Sequence, residues 1–169
     1  MSEPRGTVKD MQPEPWMRGP IGNLHPVAAH LFYTFQQARE EVPRDLTPQQ
    51  VWQTVAGTKH SIGFHLRHIA GSIDRLATYL DGRALTDAQL ATLRAEHDPD
   101  ATLESLLQTM EETMSRVEQQ VSAIDPAQYL EPRGIGRKQL PTTVAGLIIH
   151  ISEHTQRHLA QIALLARML

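Results

Sequence analysis

Two histidines four residues apart carry the clearest chemical signal in this sequence. His154 and His158 lie in a segment whose apolar residues recur with helical spacing. Residues four apart occupy nearly the same face of an α-helix, so both imidazoles could ligate one ion. His158 also falls between Ile151 and Ile162 on the apolar stripe, where a buried imidazole needs a partner for each ring nitrogen. The pair therefore predicts two ligands of a divalent metal.

A second group of histidines, at positions 60, 65 and 68, opens another helical segment. Helical geometry places His65 about 60° and His68 about 120° from the centre of that segment's apolar stripe. Geometry alone therefore favours His65 as a third ligand. His68 stays open as the alternative, because a helix in a bundle contacts two neighbours and buries a wide arc.

The donor types narrow the choice of ion. Three neutral imidazoles favour zinc, nickel, copper or iron over magnesium and calcium, which prefer oxygen ligands. No histidine follows a glutamate by three residues, as a carboxylate-bridged di-iron site would require. The chain has no cysteine, which excludes disulfides, cysteine-ligated zinc and a protein thiol nucleophile. For His25, His30, His60 and His97 we prefer an ordinary surface or core role.

Six helical segments are predicted to position these residues. Capping residues, prolines and apolar periodicity indicate long helices over residues 23–42, 61–81, 100–124 and 141–169. Capping-box patterns that begin at Thr47 and Thr86 predict two short helices, one beginning near 48 and one over 86–96. Residues 125–139 are predicted to form a loop, and the absence of period-two alternation argues against strands. Four long amphipathic helices bury their apolar stripes most simply as an all-α four-helix bundle over residues 23–169. Residues 1–22, rich in proline and glycine, are predicted to form an irregular N-terminal arm.

Composition excludes several classes of partner. The 169 residues fit one domain, and 16 basic and 19 acidic residues are interspersed to give a net charge of −3. We expect no nucleic-acid partner, because no basic stripe with aromatic residues is present. We expect no membrane span, because no apolar run is long enough, and a cytoplasmic location follows by default.

Two motifs resemble the signatures of the DinB-like family. The stretch from Ser61 to Ala70, which contains His65 and His68, resembles the family's second-helix signature. The pattern of His154, His158 and Gln161 resembles its last-helix signature. Residues 14–19 and 136–141 are similar to one bacterial branch of the family.

This resemblance implies a specific ligand set. Members are four-helix bundles, commonly homodimers, that hold a metal with one histidine of the second helix and two of the last. Carried onto this sequence, the ligands are His68, His154 and His158, so the resemblance selects His68 over His65. It also implies that Gln161 supports the site from outside. The expected cofactor is a divalent transition metal, zinc or nickel in the first place and iron as an alternative.

The resemblance also suggests a reaction class. Characterised members include enzymes that use a low-molecular-weight thiol, such as bacillithiol or mycothiol, for conjugation or isomerisation. We therefore expect a metal-dependent enzyme of thiol-transferase type, with an external thiol and an electrophile as substrates. The alternative is a non-catalytic metal- or ligand-binding protein with a stress-related role. The sequence nominates no general base.

Overall fold

Short polar caps and prolines define where each helix begins in the computed structural model, which describes residues 13–169. Its elements follow one another as α1 (Pro26–Glu41), α2 (Pro48–Trp52), α3 (Ile62–Leu80), α4 (Asp87–Arg94), α5 (Leu103–Ser122), β1 (Pro132–Ile135), β2 (Leu140–Thr143) and α6 (Val144–Met168). The predicted all-α fold with additional short helices is confirmed.

The caps explain the helix boundaries. The hydroxyl oxygens of Thr47 and Thr86 each accept a hydrogen bond from the backbone N–H of the glutamine three residues on. The side-chain oxygen of that glutamine in turn accepts a hydrogen bond from the backbone N–H of the threonine, so both predicted capping boxes are present. Ser61 caps α3 through its hydroxyl. α1 begins later than predicted, because the Nδ1 atom of His25 caps it. α6 also begins later, because Thr143 is its cap.

The four long helices α1, α3, α5 and α6 form a bundle around one apolar core. α6 packs between α1 and α3, while α5 packs against the other side of α3 and closes the bundle against α1. The predicted apolar stripe of α3 is buried along its whole length, at Ile62, Leu66, Ile69, Ile73, Leu76 and Leu80. It meets buried side chains of the other helices, including Leu31, Phe35, Met114, Leu147, Ile148, Ile151 and Ile162. The core thereby fixes the faces that α3 and α6 turn toward each other.

The prediction that residues 125–139 form a loop without strands was wrong. β1 and β2 pair as an antiparallel hairpin, with Pro132 opposite Thr143 and Ile135 opposite Leu140. Each strand has only four residues, which is too short for an alternating apolar pattern to be recognised. The connection turns through Gly136 and Gln139, both of which have positive φ.

The described part of the N-terminal arm, residues 13–22, is held by polar contacts. Arg18 forms an ion pair with Glu40 of α1, and its carbonyl oxygen accepts a hydrogen bond from the Tyr33 hydroxyl. Within this chain Trp16 and Met17 of the arm are 71% and 57% exposed. Pro4 and Gly6 of the predicted arm lie outside the described residues. Across residues 13–169, no helix has both the length and the apolar character needed to cross a membrane.

Candidate metal site

Three histidines from two helices converge at the interface between α3 and α6. One ring nitrogen of each of His68, His154 and His158 lies within 4.8 Å of the others. His68 comes from α3, and the other two lie one turn apart on α6. The interface brings together residues that are 86 positions apart in the chain.

The contact between His68 and His154 suits two ligands of one ion. Their Nε2 atoms are 2.9 Å apart. Two nitrogen ligands that are each about 2.1 Å from an ion, and roughly at right angles, would have this separation. The Nδ1 atom of His68 lies 2.6 Å from a carboxylate oxygen of Glu96, so Nδ1 carries the proton and Nε2 offers its lone pair. These residues therefore fit a divalent transition metal.

His65, the alternative third ligand, lies behind the group of three. It is 2% exposed, and its Nδ1 atom is 2.9 Å from Nδ1 of His158. If the N–H at Nδ1 of His158 donates a hydrogen bond to Nδ1 of His65, Nε2 of His158 carries a free lone pair. The structure thus places His65 against the back of His158, while His68 stands beside His154.

Burial keeps the imidazoles of His154 and His158 neutral. Burial, followed by the positive charge that a protonated His68 would carry, lowers the pKa of His154 to about 4 and that of His158 to about 3. Burial, followed by the charge of His60, lowers the pKa of His65 to about 4. Neutral imidazole is the form that binds a metal, so at neutral pH no proton must leave these rings first.

Four further histidines lie outside the group of three. His60 and His97 stack on the Phe64 ring, with centroid distances of 4.1 and 4.3 Å. His25 caps α1, as described above. His150 lies on the exposed side of α6, one turn before His154.

Polar residues near the two histidine motifs mostly have structural contacts or face solvent. Arg67 donates to the carbonyl oxygens of Ala95 and Asp98 and therefore does not project into solvent. Gln161 lies on the exposed side of α6, so nothing among the described residues links its amide to the three histidines. Asp74 accepts hydrogen bonds from Gln89 and Arg116.

Glu96 belongs to the site, although no pattern in the sequence indicates it. It follows the short helix α4, is only 3% exposed, and contacts His68 directly. In the sequence it stands at the end of the short helix predicted over residues 86–96, and that position gives no sign of a contact with His68. No spacing relates it to His68, because it reaches the site from a different element.

Three imidazoles gathered from two helices place this chain among helical bundles whose side chains could hold one metal ion. The chain belongs to the DinB superfamily, whose family model matches residues 7–162. The predicted family is thereby confirmed.

Solved structures support the same fold. A structural-genomics protein from Streptococcus pneumoniae superimposes with a TM-score of 0.66 at 12% identity, over 90% of this chain and 95% of that one. YfiT from Bacillus subtilis, described as a probable metal-dependent hydrolase with an unusual four-helix bundle topology, matches with a TM-score of 0.58 at 16% identity, over 98% of this chain and 92% of its own. No curated protein matches this chain.

Proposed function

We propose that this protein is a metal-dependent enzyme that activates a small nucleophile, with His68, His154 and His158 holding a zinc or nickel ion, or alternatively iron. The observation that carries the proposal is the convergence of three ring nitrogens within 4.8 Å. Three neutral ligands leave the ion's charge uncompensated and leave coordination positions for other molecules, as in catalytic rather than structural sites. When bound, such an ion lowers the pKa of a coordinated water or thiol and polarises a substrate oxygen.

The nucleophile that we favour is an external low-molecular-weight thiol. The chain has no cysteine of its own, so thiol chemistry requires a thiol cosubstrate. Arg157 is exposed, and its positive charge contributes to the lowered pKa of both His154 and His158. A cation this close to the histidines would attract the anionic form of a cosubstrate. The protein would then be a transferase in which the sulfur of the external thiol attacks an electrophilic substrate.

Hydrolysis is the second candidate, and the similarity to YfiT favours it. A water molecule would replace the thiol as the nucleophile, and the same three histidines would hold the ion. The two reactions differ in whether turnover depends on added thiol.

The first test is the metal content of protein expressed without a histidine tag. We expect about one equivalent of a transition metal per chain, and loss of that metal in His68→Ala, His154→Ala and His158→Ala. His150→Ala is the matched control, because this exposed histidine lies on the same helix one turn from His154. Wild-type protein without metal, or triad variants that retain it, would contradict the proposed site.

The second test separates the candidate reactions. Wild-type protein loaded with zinc or nickel is assayed with an aryl halide and each of cysteine, glutathione, bacillithiol and mycothiol, and with an activated ester in the absence of thiol. Turnover that requires a thiol and is lost in His154→Ala supports the transferase. Turnover of the ester alone supports the hydrolase. Metal binding without either activity would leave a metal-binding protein that is not an enzyme.

A further inference from the structure

A buried carboxylate occupies the side of His68 that faces away from the candidate metal position. Glu96 is 3% exposed, and its two oxygens have different partners. Oε2 lies 2.6 Å from Nδ1 of His68, and Oε1 accepts a hydrogen bond of 2.9 Å from Nη1 of Arg75. A buried carboxylate needs such partners, because an unpaired charge in this position would be strongly destabilising.

The contact determines which nitrogen of His68 is free. An ionised carboxylate only accepts hydrogen bonds, so the His68 proton must be on Nδ1. The guanidinium of Arg75 binds the other oxygen of Glu96, so the carboxylate lies between a cation and the imidazole N–H. With the proton on Nδ1, Nε2 of His68 keeps its lone pair directed toward His154.

The backbone leaves room for this arrangement at a glycine. Gly71 lies one turn along α3 from His68. A Cβ atom at this position would lie 2.8 Å from Nη1 of Arg75 and 3.2 Å from Oε1 of Glu96. The absence of a side chain thus allows the carboxylate and the guanidinium to approach the helix closely.

The loop that carries Glu96 is fixed to α3 from outside. Arg67 donates to the carbonyl oxygens of Ala95 and Asp98 at 2.7 and 2.9 Å, and it pairs with Asp100. Its guanidinium lies over the ring of Trp52, which donates to the carbonyl oxygen of Ala101 at 2.8 Å. These contacts hold both sides of Glu96 in the chain, so its carboxylate is fixed before any ligand arrives.

From these contacts we infer that Glu96 is a positioning residue for His68, which fixes its tautomer and ring orientation and increases its strength as a metal ligand. Carboxylates that accept the second N–H of a metal-bound histidine act in this way in metalloproteins generally. The inference rests on the proposed function, because it assigns Glu96 a role toward the same metal.

The test compares two glutamate-to-glutamine variants. In Glu96→Gln the side chain keeps its size but loses its charge, and its amide N–H can face Nδ1 of His68 and move the imidazole proton to Nε2. Glu118→Gln is the matched control, since Glu118 also pairs with an arginine, Arg39, but at the contact between α1 and α5. Metal-free proteins are titrated with Zn²⁺ against a chromophoric chelator, and with Co²⁺ to record the visible spectrum of the bound ion.

We expect Glu96→Gln to weaken the Zn²⁺ affinity about 10- to 100-fold and to shift the Co²⁺ absorption bands. Glu118→Gln should leave both unchanged, even where its melting temperature falls. Gly71→Ala provides a second variant if Glu96→Gln does not fold: it keeps every ligand but displaces flexible side-chain ends, and should also weaken Zn²⁺ binding.

The two possible failures are distinct. If wild-type protein does not bind Zn²⁺ or Co²⁺, the proposed function fails, and the role of Glu96 fails with it. If wild-type protein binds the metal and Glu96→Gln binds it with the same affinity and the same Co²⁺ spectrum, the site stands and the role of Glu96 is overturned. An equal loss in Glu118→Gln would likewise overturn it, because the effect would then reflect general destabilisation.

Discussion

At the scale of single residues, the candidate site consists of histidine side chains that burial keeps in the neutral form, which is the form that can bind a metal. His65, His154 and His158 all lie at the contact between α3 and α6, and burial is the first cause of the lowered pKa of each. The protein therefore holds imidazoles in their neutral form without an ion to enforce it. Because protonation of these histidines is unfavourable in the folded state, acid should destabilise their surroundings, whereas the apolar core has no group to protonate.

We expect the stability of the metal-free protein to fall as the pH decreases from about 6.5 toward 4. The folded-state pKa of His154 is about 4 and that of His158 about 3, against 6.5 for an ordinary histidine. Below pH 6.5 the unfolded chain takes up protons that the folded chain does not, so acid favours unfolding. Urea titrations of chelator-treated protein at several pH values would measure this.

The variant His158→Phe provides the control for this pH dependence. It removes one of the groups with a lowered pKa, so its free energy of unfolding should change less with pH than that of the wild type. A wild-type stability that is constant between pH 7 and 4.5 would contradict the prediction.

The residues of the site were accessible from sequence to different degrees. His154 and His158 could be paired because four-residue spacing places them on one helix face. The angles favoured His65 over His68, but in the structure both side chains contact histidines of α6, so angles alone could not select the third candidate ligand. The family resemblance pointed to His68, and whether His68 ligates a metal stays a prediction. Glu96 is related to the site only by tertiary contact, so no local pattern could indicate it.

At the scale of elements, α3 connects the site to the rest of the bundle. It carries His65 and His68, and its C-terminal carbonyl at Leu80 accepts a hydrogen bond from Arg133 of β1. Near its start, Gly63 packs directly against the ring of Trp52. The helix is thus held at both ends by elements that lie outside the four long helices.

We predict that Gly63→Ala destabilises the protein. A Cβ atom there would lie 2.8 to 2.9 Å from three atoms of the Trp52 ring. The ring cannot move freely, because its Nε1–H donates a hydrogen bond to the carbonyl oxygen of Ala101. Overpacking of this kind costs about 1–3 kcal/mol, whereas the same change at an open helix position would stabilise by about 1 kcal/mol. Chemical denaturation would measure the difference.

The same substitution in a Trp52→Ala background isolates the contact. There, Gly63→Ala should be neutral or stabilising, because the ring that it would meet is absent. Equal destabilisation in both backgrounds would show that the Trp52 contact is not the cause.

Elements could be predicted where the contacts that define them join residues close in sequence, and could not where those contacts join distant residues. The capping boxes at Thr47 and Thr86 follow from residues three apart and were predicted from sequence. The hairpin of β1 and β2 depends on the pairing of two four-residue strands and on Arg133 reaching α3, so it was missed. Arg67 could not be recognised as a loop anchor for the same reason, since its acceptors lie about 30 residues away.

At the scale of the whole molecule, the homodimer implied by the family resemblance stays a prediction. The outward side of α6 carries exposed apolar side chains at Ile149, Leu164 and Met168, with exposed fractions of 42%, 58% and 52%. A symmetric pair of α6 helices would cover them, because a twofold interface uses the same surface of both subunits.

We expect Leu164→Glu to convert a dimer into a monomer. The introduced charges would face each other across the twofold axis and would have to be desolvated. Sedimentation equilibrium of wild-type and variant protein would decide the question. A monomeric wild type, or a variant that remains dimeric, would contradict a dimer formed through α6.

The order in which the ligands leave the ribosome follows from the placement of the site across α3 and α6. His158, the last of the three histidines, follows His68 by 90 residues, so at about 5–20 residues per second the set is completed on the order of ten seconds after His68 is made. Until α6 has been synthesised, a nascent chain presents one imidazole of the three and has little affinity for an ion. Capture of a metal by all three histidines would therefore have to wait until α6 packs against α3, and occupancy of the site would report that the bundle has closed.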